Sequence, residues 1–214
     1  MKRSYKIISY LLYTSSLMYI SKTMYNTGLD KFDLPYYVNN IYYLFMLGIF
    51  GSFIFFRFGN YDKYIKKHAS YLLIRYGDFD KIYRTFVCSG ILQSLGLTLI
   101  RVVTDVIIFG TINGIDILIY FMVMASLILM HINFEIIINS KCAIIMILGY
   151  FATSFSFCDL LMENNMNSLT YCFIPNMLFS ARRGSLAISI AVLILVIISN
   201  FIIGRLLIEK KEIL

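Results

Sequence analysis

The chain has 214 residues, of which 59% are apolar and only 14% charged, with two prolines and a net charge of +7. Soluble domains carry about 25% charged residues, so this composition excludes a disordered chain, a collagen-like chain and an ordinary water-soluble enzyme. What remains is an all-α integral membrane protein, one transmembrane domain over residues 1–214; six helices of ~20 residues each leave room for loops but not for a separate soluble domain.

Charge-free apolar runs place the spans in chain order. Met1 to Lys6 is basic and leads straight into the first run, Ile7–Ile20. This start is similar to a signal peptide, but Ser21 and Lys22 offer no small-residue cleavage site, so it reads as an uncleaved first span. A loop at 22–34 follows, with Gly28, Asp30 and Asp33, and then the second span, Pro35–Phe56, which stops at Arg57. Residues 57–84 form a long basic loop. The third span covers Thr85–Phe109, the fourth Ile117–Phe134 and the fifth Cys142–Cys158, the last two joined by a short connection from Glu135 to Lys141. Residues 159–185 form a second long loop, with Glu163, Asn164, Asn165, Asn167 and Pro175. The sixth span, Leu186–Gly204, is polar only at Ser189 and Ser199 on this reading. Backbone in hydrocarbon must satisfy its own hydrogen bonds, so the runs are helices. They are too long and continuous for the ~10-residue alternating strands of a barrel.

The basic residues set the orientation. With the N-terminus inside, 14 of the 19 Lys and Arg fall on the inner side, seven of them between Arg57 and Arg84. The exceptions are Lys22, Lys31, Arg101, Arg182 and Arg183. This bias predicts both termini in the cytoplasm, which an even number of spans requires. The positive net charge therefore reports sidedness and lipid contact in a cell membrane, not nucleic-acid binding.

Within the basic inner loop, Ile65, Ala69, Leu72, Leu73 and Tyr76 share one face at i, i+4, i+7, i+8 and i+11, with Lys63, Lys66, Lys67 and Ser70 opposite. Gly77 suits a helix stop, and Asp78 or Asp80 can cap the helix that follows. Such a basic amphipathic helix has two uses: to lie on anionic headgroups, or to dock a cytoplasmic partner.

The stretch Leu72-Leu73-Ile74-Arg75-Tyr76-Gly77, followed by Asp78, Phe79, Asp80, Lys81 and Ile82, resembles a bacterial subgroup of the ABC-2-type transporter permeases, linked to export of, or self-protection against, bacteriocins and other small peptides. Six spans, both termini inside and a long loop between spans two and three resemble the family as well. The resemblance implies that this loop carries a coupling helix that seats in ABC ATPase subunits, with Ile65, Ala69, Leu72, Leu73, Arg75, Tyr76, Gly77, Asp78 and Asp80 at or beside the contact. It also implies a second permease subunit, identical or different, a peptide substrate, residence in the bacterial plasma membrane, and short re-entrant helices between spans five and six.

No G-x-x-x-x-G-K-[ST], H-E-x-x-H or G-x-S-x-G occurs, so the chain has no ATPase, zinc-protease or serine-hydrolase motif of its own. It is not read as an enzyme; ATP and magnesium belong to the partner subunit. The four cysteines show no C-x-x-C spacing, which argues against a zinc or redox site, while Cys158 and Cys172 fall on one side, where a disulfide is open to them. His131, near the inner end of span four, reads as hydrogen-bonded between helices rather than as a metal ligand.

Arg101 and Asp105 sit i, i+4 in span three, where charges are expected to pair. They form a mutual ion pair or line a translocation path, with Asp116 as a further candidate partner. Arg182 and Arg183 either line an outer vestibule or face headgroups. The expected function is a peptide-exporting permease subunit driven by a separate ATPase. The alternative is a non-transporting membrane immunity or sensor protein that binds a peptide toxin.

Overall fold

Four long helices account for most of the described chain: α1 (Phe79–Phe109), α2 (Gly114–Ile137), α3 (Ser140–Glu163) and α4 (Leu186–Glu212). A computed structural model describes residues 79–110 and 112–212, together with short helical pieces at 13–16, 19–20, 46–52 and 54. All regular structure among these residues is helical.

The helix boundaries have local causes. Gly110, at φ +62°, takes the left-handed conformation past the end of α1, and its N–H bonds the Val106 carbonyl at 3.2 Å. Asn113 caps α2 by accepting from the Ile115 N–H at 3.2 Å, and Asn139 caps α3 by accepting from the Cys142 N–H at 2.8 Å. Asp116 in the first turn of α2 complements the positive helix end.

All four helices are long and apolar enough to cross a membrane. With 31 residues, α1 is about 46 Å long at 1.5 Å per residue, more than the ~30 Å hydrocarbon layer requires. It starts at Phe79, ahead of the expected Thr85, and so carries Lys81 and Arg84 on its first turns.

The hub is α2, which packs against α4, α1 and α3. Its span is 67% buried, whereas the span of α4 is only 11% buried. Residues 46–52 and 54, part of the expected second span, add Met46, Ile49, Phe50 and Ile54 to the core. Phe50 stacks on Phe151 of α3 with ring centroids 5.0 Å apart.

Two expected loops are shorter than the sequence indicates. The fourth connection was expected from Glu135, but α2 continues to Ile137 and α3 begins at Ser140, so Glu135 is a buried helical residue. The long loop at 159–185 shrinks because α3 continues to Glu163. The rest is three short 3-10 turns, Asn167–Cys172, Ile174–Leu178 and Ser180–Arg182. The middle turn is wholly buried against α2 and α3.

Candidate functional site

Of the residues read as an ATPase contact, Ile65, Ala69, Leu72, Leu73, Arg75, Tyr76, Gly77 and Asp78 lie outside the described residues. Asp80 falls in the first turn of α1. Arg101 and Asp105 do pair, with Arg101 Nε 3.8 Å from Asp105 Oδ2 on one face of α1. The Arg101 guanidinium also lies over the Tyr120 ring of α2, 4.5 Å from its centroid. An arginine can serve both, since its planar cation stacks on an aromatic face while its edge faces a carboxylate. Asp116 does not join this pair; it binds Arg183 instead.

Two polar centres stand at opposite ends of the bundle. The first joins α1, α2 and α4. The Asn133 amide donates to the Asn200 carbonyl at 2.8 Å and lies 3.2 Å from Asn200 Oδ1. The Tyr83 hydroxyl reaches the same place, 3.4 Å from Asn133 Oδ1 and 3.3 Å from the Asn200 carbonyl. This closeness depends on Gly204: any Cβ there would overlap Tyr83 Oη and Asn133 Oδ1. A small residue where helices meet lets their backbones approach, and amide side chains then bond across. Tyr83, Asn133 and Asn200 do not figure in the sequence reading, and Gly204 figures there only as the end of the last span. The signal was present, because Asn133 and Asn200 are amides inside apolar runs, and reading the last span as polar only at Ser189 and Ser199 passes over Asn200.

The second centre is the capped end, where the three 3-10 turns fold over α2 and α3. Arg182 is buried and bonds three groups: the Phe155 carbonyl at 3.2 Å, Asn176 Oδ1 at 3.2 Å and the Asp159 carboxylate. Its guanidinium lies over the Phe155 ring, 4.0 Å from the centroid. Arg183, also buried, donates from Nε to the Met177 carbonyl at 3.1 Å and pairs with Asp116 of α2 at 2.7 Å. The two arginines therefore neither face headgroups nor line an open vestibule. Each is matched by one carboxylate, as a buried charge requires.

Neutral bonds reinforce this end. Asn176 donates to the Ser154 carbonyl at 2.7 Å. The Tyr150 hydroxyl donates to the Cys172 carbonyl at 2.8 Å and accepts from the Ile174 N–H at 3.1 Å. The Tyr171 hydroxyl accepts from the Ser185 N–H at 2.8 Å, which draws the two ends of the segment together.

The cysteines are all free thiols, with Cys158 buried and Cys88, Cys142 and Cys172 exposed, so the Cys158–Cys172 disulfide left open by the sequence is not formed. His131 is buried on α2, one turn from the equally buried Glu135. Among the described residues no group of three or more His, Cys, Asp or Glu side chains could hold a metal ion.

No curated protein and no solved structure matches the chain. The family described as "Protein of unknown function (DUF2705)" matches residues 2–214, and the chain belongs to that family.

Proposed function

We propose that this protein is the permease subunit of a bacterial ABC transporter that exports small hydrophobic or antimicrobial peptides, with separate ATPase subunits supplying the energy. On this reading the chain makes six spans with both termini in the cytoplasm of the plasma membrane. A coupling helix lies between spans two and three, and a second permease copy or homologue completes the path. The observation that carries the reading is continuity. The Arg75-Tyr76-Gly77 stretch that resembles the permease family leads within a few residues into α1. There Tyr83 is buried and bonded to α2 and α4. A push on the loop would thus reach three helices at once through one joint.

The reading is tested by purifying the tagged full-length chain from its native cells and identifying what accompanies it. An ATPase subunit that co-purifies, and is lost with Arg75→Ala and Tyr76→Ala, is the expected result. Unchanged association in both variants removes the coupling role. A chain that carries no ATPase but still protects cells from an added peptide is the non-transporting immunity protein instead.

A further inference from the structure

We propose that Arg84 of α1 and Arg205 of α4 together hold the phosphate of one anionic phospholipid, whose acyl chains lie along the groove between the two helices. The site is independent of the transporter reading and needs only the crossing of α1 and α4 within a membrane.

The crossing fixes the place of both arginines. α1 runs antiparallel to α2, since Tyr83 meets Asn133 and Arg101 meets Tyr120. α2 runs parallel to α4, since Asp116 meets Arg183 just ahead of α4 and Asn133 meets Asn200. α1 and α4 are therefore antiparallel. They face each other at Tyr83 and Gly204, where a Cβ on the glycine would overlap Tyr83 Oη. Each residue turns a helix by about 100°. In antiparallel helices that face each other at one residue, the next residue of each comes out on the same side of the contact, at nearly the same depth. Those next residues are Arg84 and Arg205, and both are exposed.

Each arginine heads an apolar stripe. Leu95 and Leu99 follow Arg84 by 11 and 15 residues, and Ile198 and Ile194 precede Arg205 by 7 and 11. These spacings keep all four on the side of their arginine. All four are exposed, at 41%, 63%, 50% and 45%. Phe201 stands on the same side of α4, its ring centroid 5.8 Å from that of Tyr83. Eleven helical residues rise ~16 Å, about one leaflet of a ~30 Å hydrocarbon layer.

The charge pattern suits an anion at the head of the groove. No acidic residue occurs on α1 between Arg84 and Asp105, or on α4 before Glu209. Asp80 and Glu209 stand one turn beyond the arginines, at the end away from the stripes. A guanidinium has five donors, so an arginine bonded to either carboxylate keeps others for a phosphate. Most of the lipid-facing surface offers a phospholipid only apolar contact. Here one headgroup meets two cations from separate helices, and its chains bridge α1 to α4, the span that is only 11% buried.

The experiment is native mass spectrometry of the purified full-length chain in detergent, titrated with dioleoyl phosphatidylglycerol or dioleoyl phosphatidylethanolamine. One phosphatidylglycerol is expected to bind at least tenfold tighter, because the ammonium of the other lipid opposes the two arginines. Arg84→Gln and Arg205→Gln should each weaken phosphatidylglycerol about fivefold, and together about thirtyfold. Lys141→Gln, at an exposed basic residue at the same end of the bundle but on α3, should leave it unchanged. Equal weakening by Lys141→Gln overturns the site in favour of diffuse attraction, and equal affinity for the two lipids overturns it as well. Displacement of phosphatidylglycerol by an equal concentration of sn-glycerol 3-phosphate removes the groove from the proposal and so overturns it. A dimer that forms at the expense of bound lipid gives the groove to a second copy, with the same consequence. Should the double variant fail to fold, the single variants and the lipid preference of the unaltered chain still decide.

Discussion

The side-chain amide of Asn133 donates to the backbone carbonyl of Asn200 at 2.8 Å and so fastens α2 to α4. Tyr83 approaches the same carbonyl from α1 at 3.3 Å, a longer and weaker contact. Hydrogen bonds between membrane helices contribute about 0.6 kcal/mol on average and up to ~1.7 kcal/mol. Asn133→Ala is expected near the top of that range and Tyr83→Phe near the bottom. Reversible unfolding of the two variants in mixed micelles measures the order, and a larger loss for Tyr83→Phe would refute it.

Gly204→Ala is expected to force α4 away from α1 and α2, because the new methyl would occupy the space of Tyr83 Oη and Asn133 Oδ1. Overpacking of this kind costs about 1–3 kcal/mol. Adding Tyr83→Phe removes the nearest obstructing atom, so the double variant should be less destabilised than the sum of the two singles. Strict additivity in melting experiments would show that the glycine is there for another reason.

Gly184→Ala faces two penalties. Its backbone is left-handed at φ +61°, and a Cβ would stand 2.5 Å from the Tyr171 hydroxyl. The first penalty is about 1–2 kcal/mol for a residue with a side chain. Trimming the obstacle with Tyr171→Ala should recover the steric part and leave the backbone part. Thermal melts of the single and double variants separate the two, and full recovery would mean the backbone penalty is absent.

Arg101 is expected to be coupled to Tyr120 as well as to Asp105. The guanidinium lies 4.5 Å from the ring centroid, and the Asp105 contact is a single one at 3.8 Å. A double-mutant cycle with Arg101→Ala and Tyr120→Leu should give a coupling of about 0.5–2 kcal/mol, the range of partly desolvated cation–π contacts. Arg101→Lys should keep the charge and lose part of this coupling. A cycle that closes at zero would leave the ring as mere packing.

The positive-inside rule placed 14 of the 19 basic residues on one side, with three arginines among the exceptions. In the fold each of these three meets an aspartate: Arg101 with Asp105, Arg182 with Asp159 and Arg183 with Asp116. Neutralised arginines are weak violations of a rule about free positive charge. Only the first pairing was legible beforehand, because i, i+4 spacing puts both groups on one helical face. The others join residues 23 and 67 positions apart, and no periodicity connects them.

The sequence by itself determined the class of protein and the four described spans to within a few residues at most ends, and it offered the pairing of Arg101 with Asp105 as one of two readings. Each follows from local physics: hydrocarbon demands apolar runs with satisfied backbones, and neighbouring turns of a helix touch. Only the tertiary structure decided which helix is core. The last span read as the plainest apolar run, yet α4 is 11% buried, while α2 is 67% buried at the centre of the bundle. Lipid tails are as apolar as leucine, so composition records the avoidance of water and not what replaces it. The same limit hid the Asn133–Asn200 joint and the buried 3-10 turns with their two arginines, since long-range contacts between polar groups depend on how the helices are arranged.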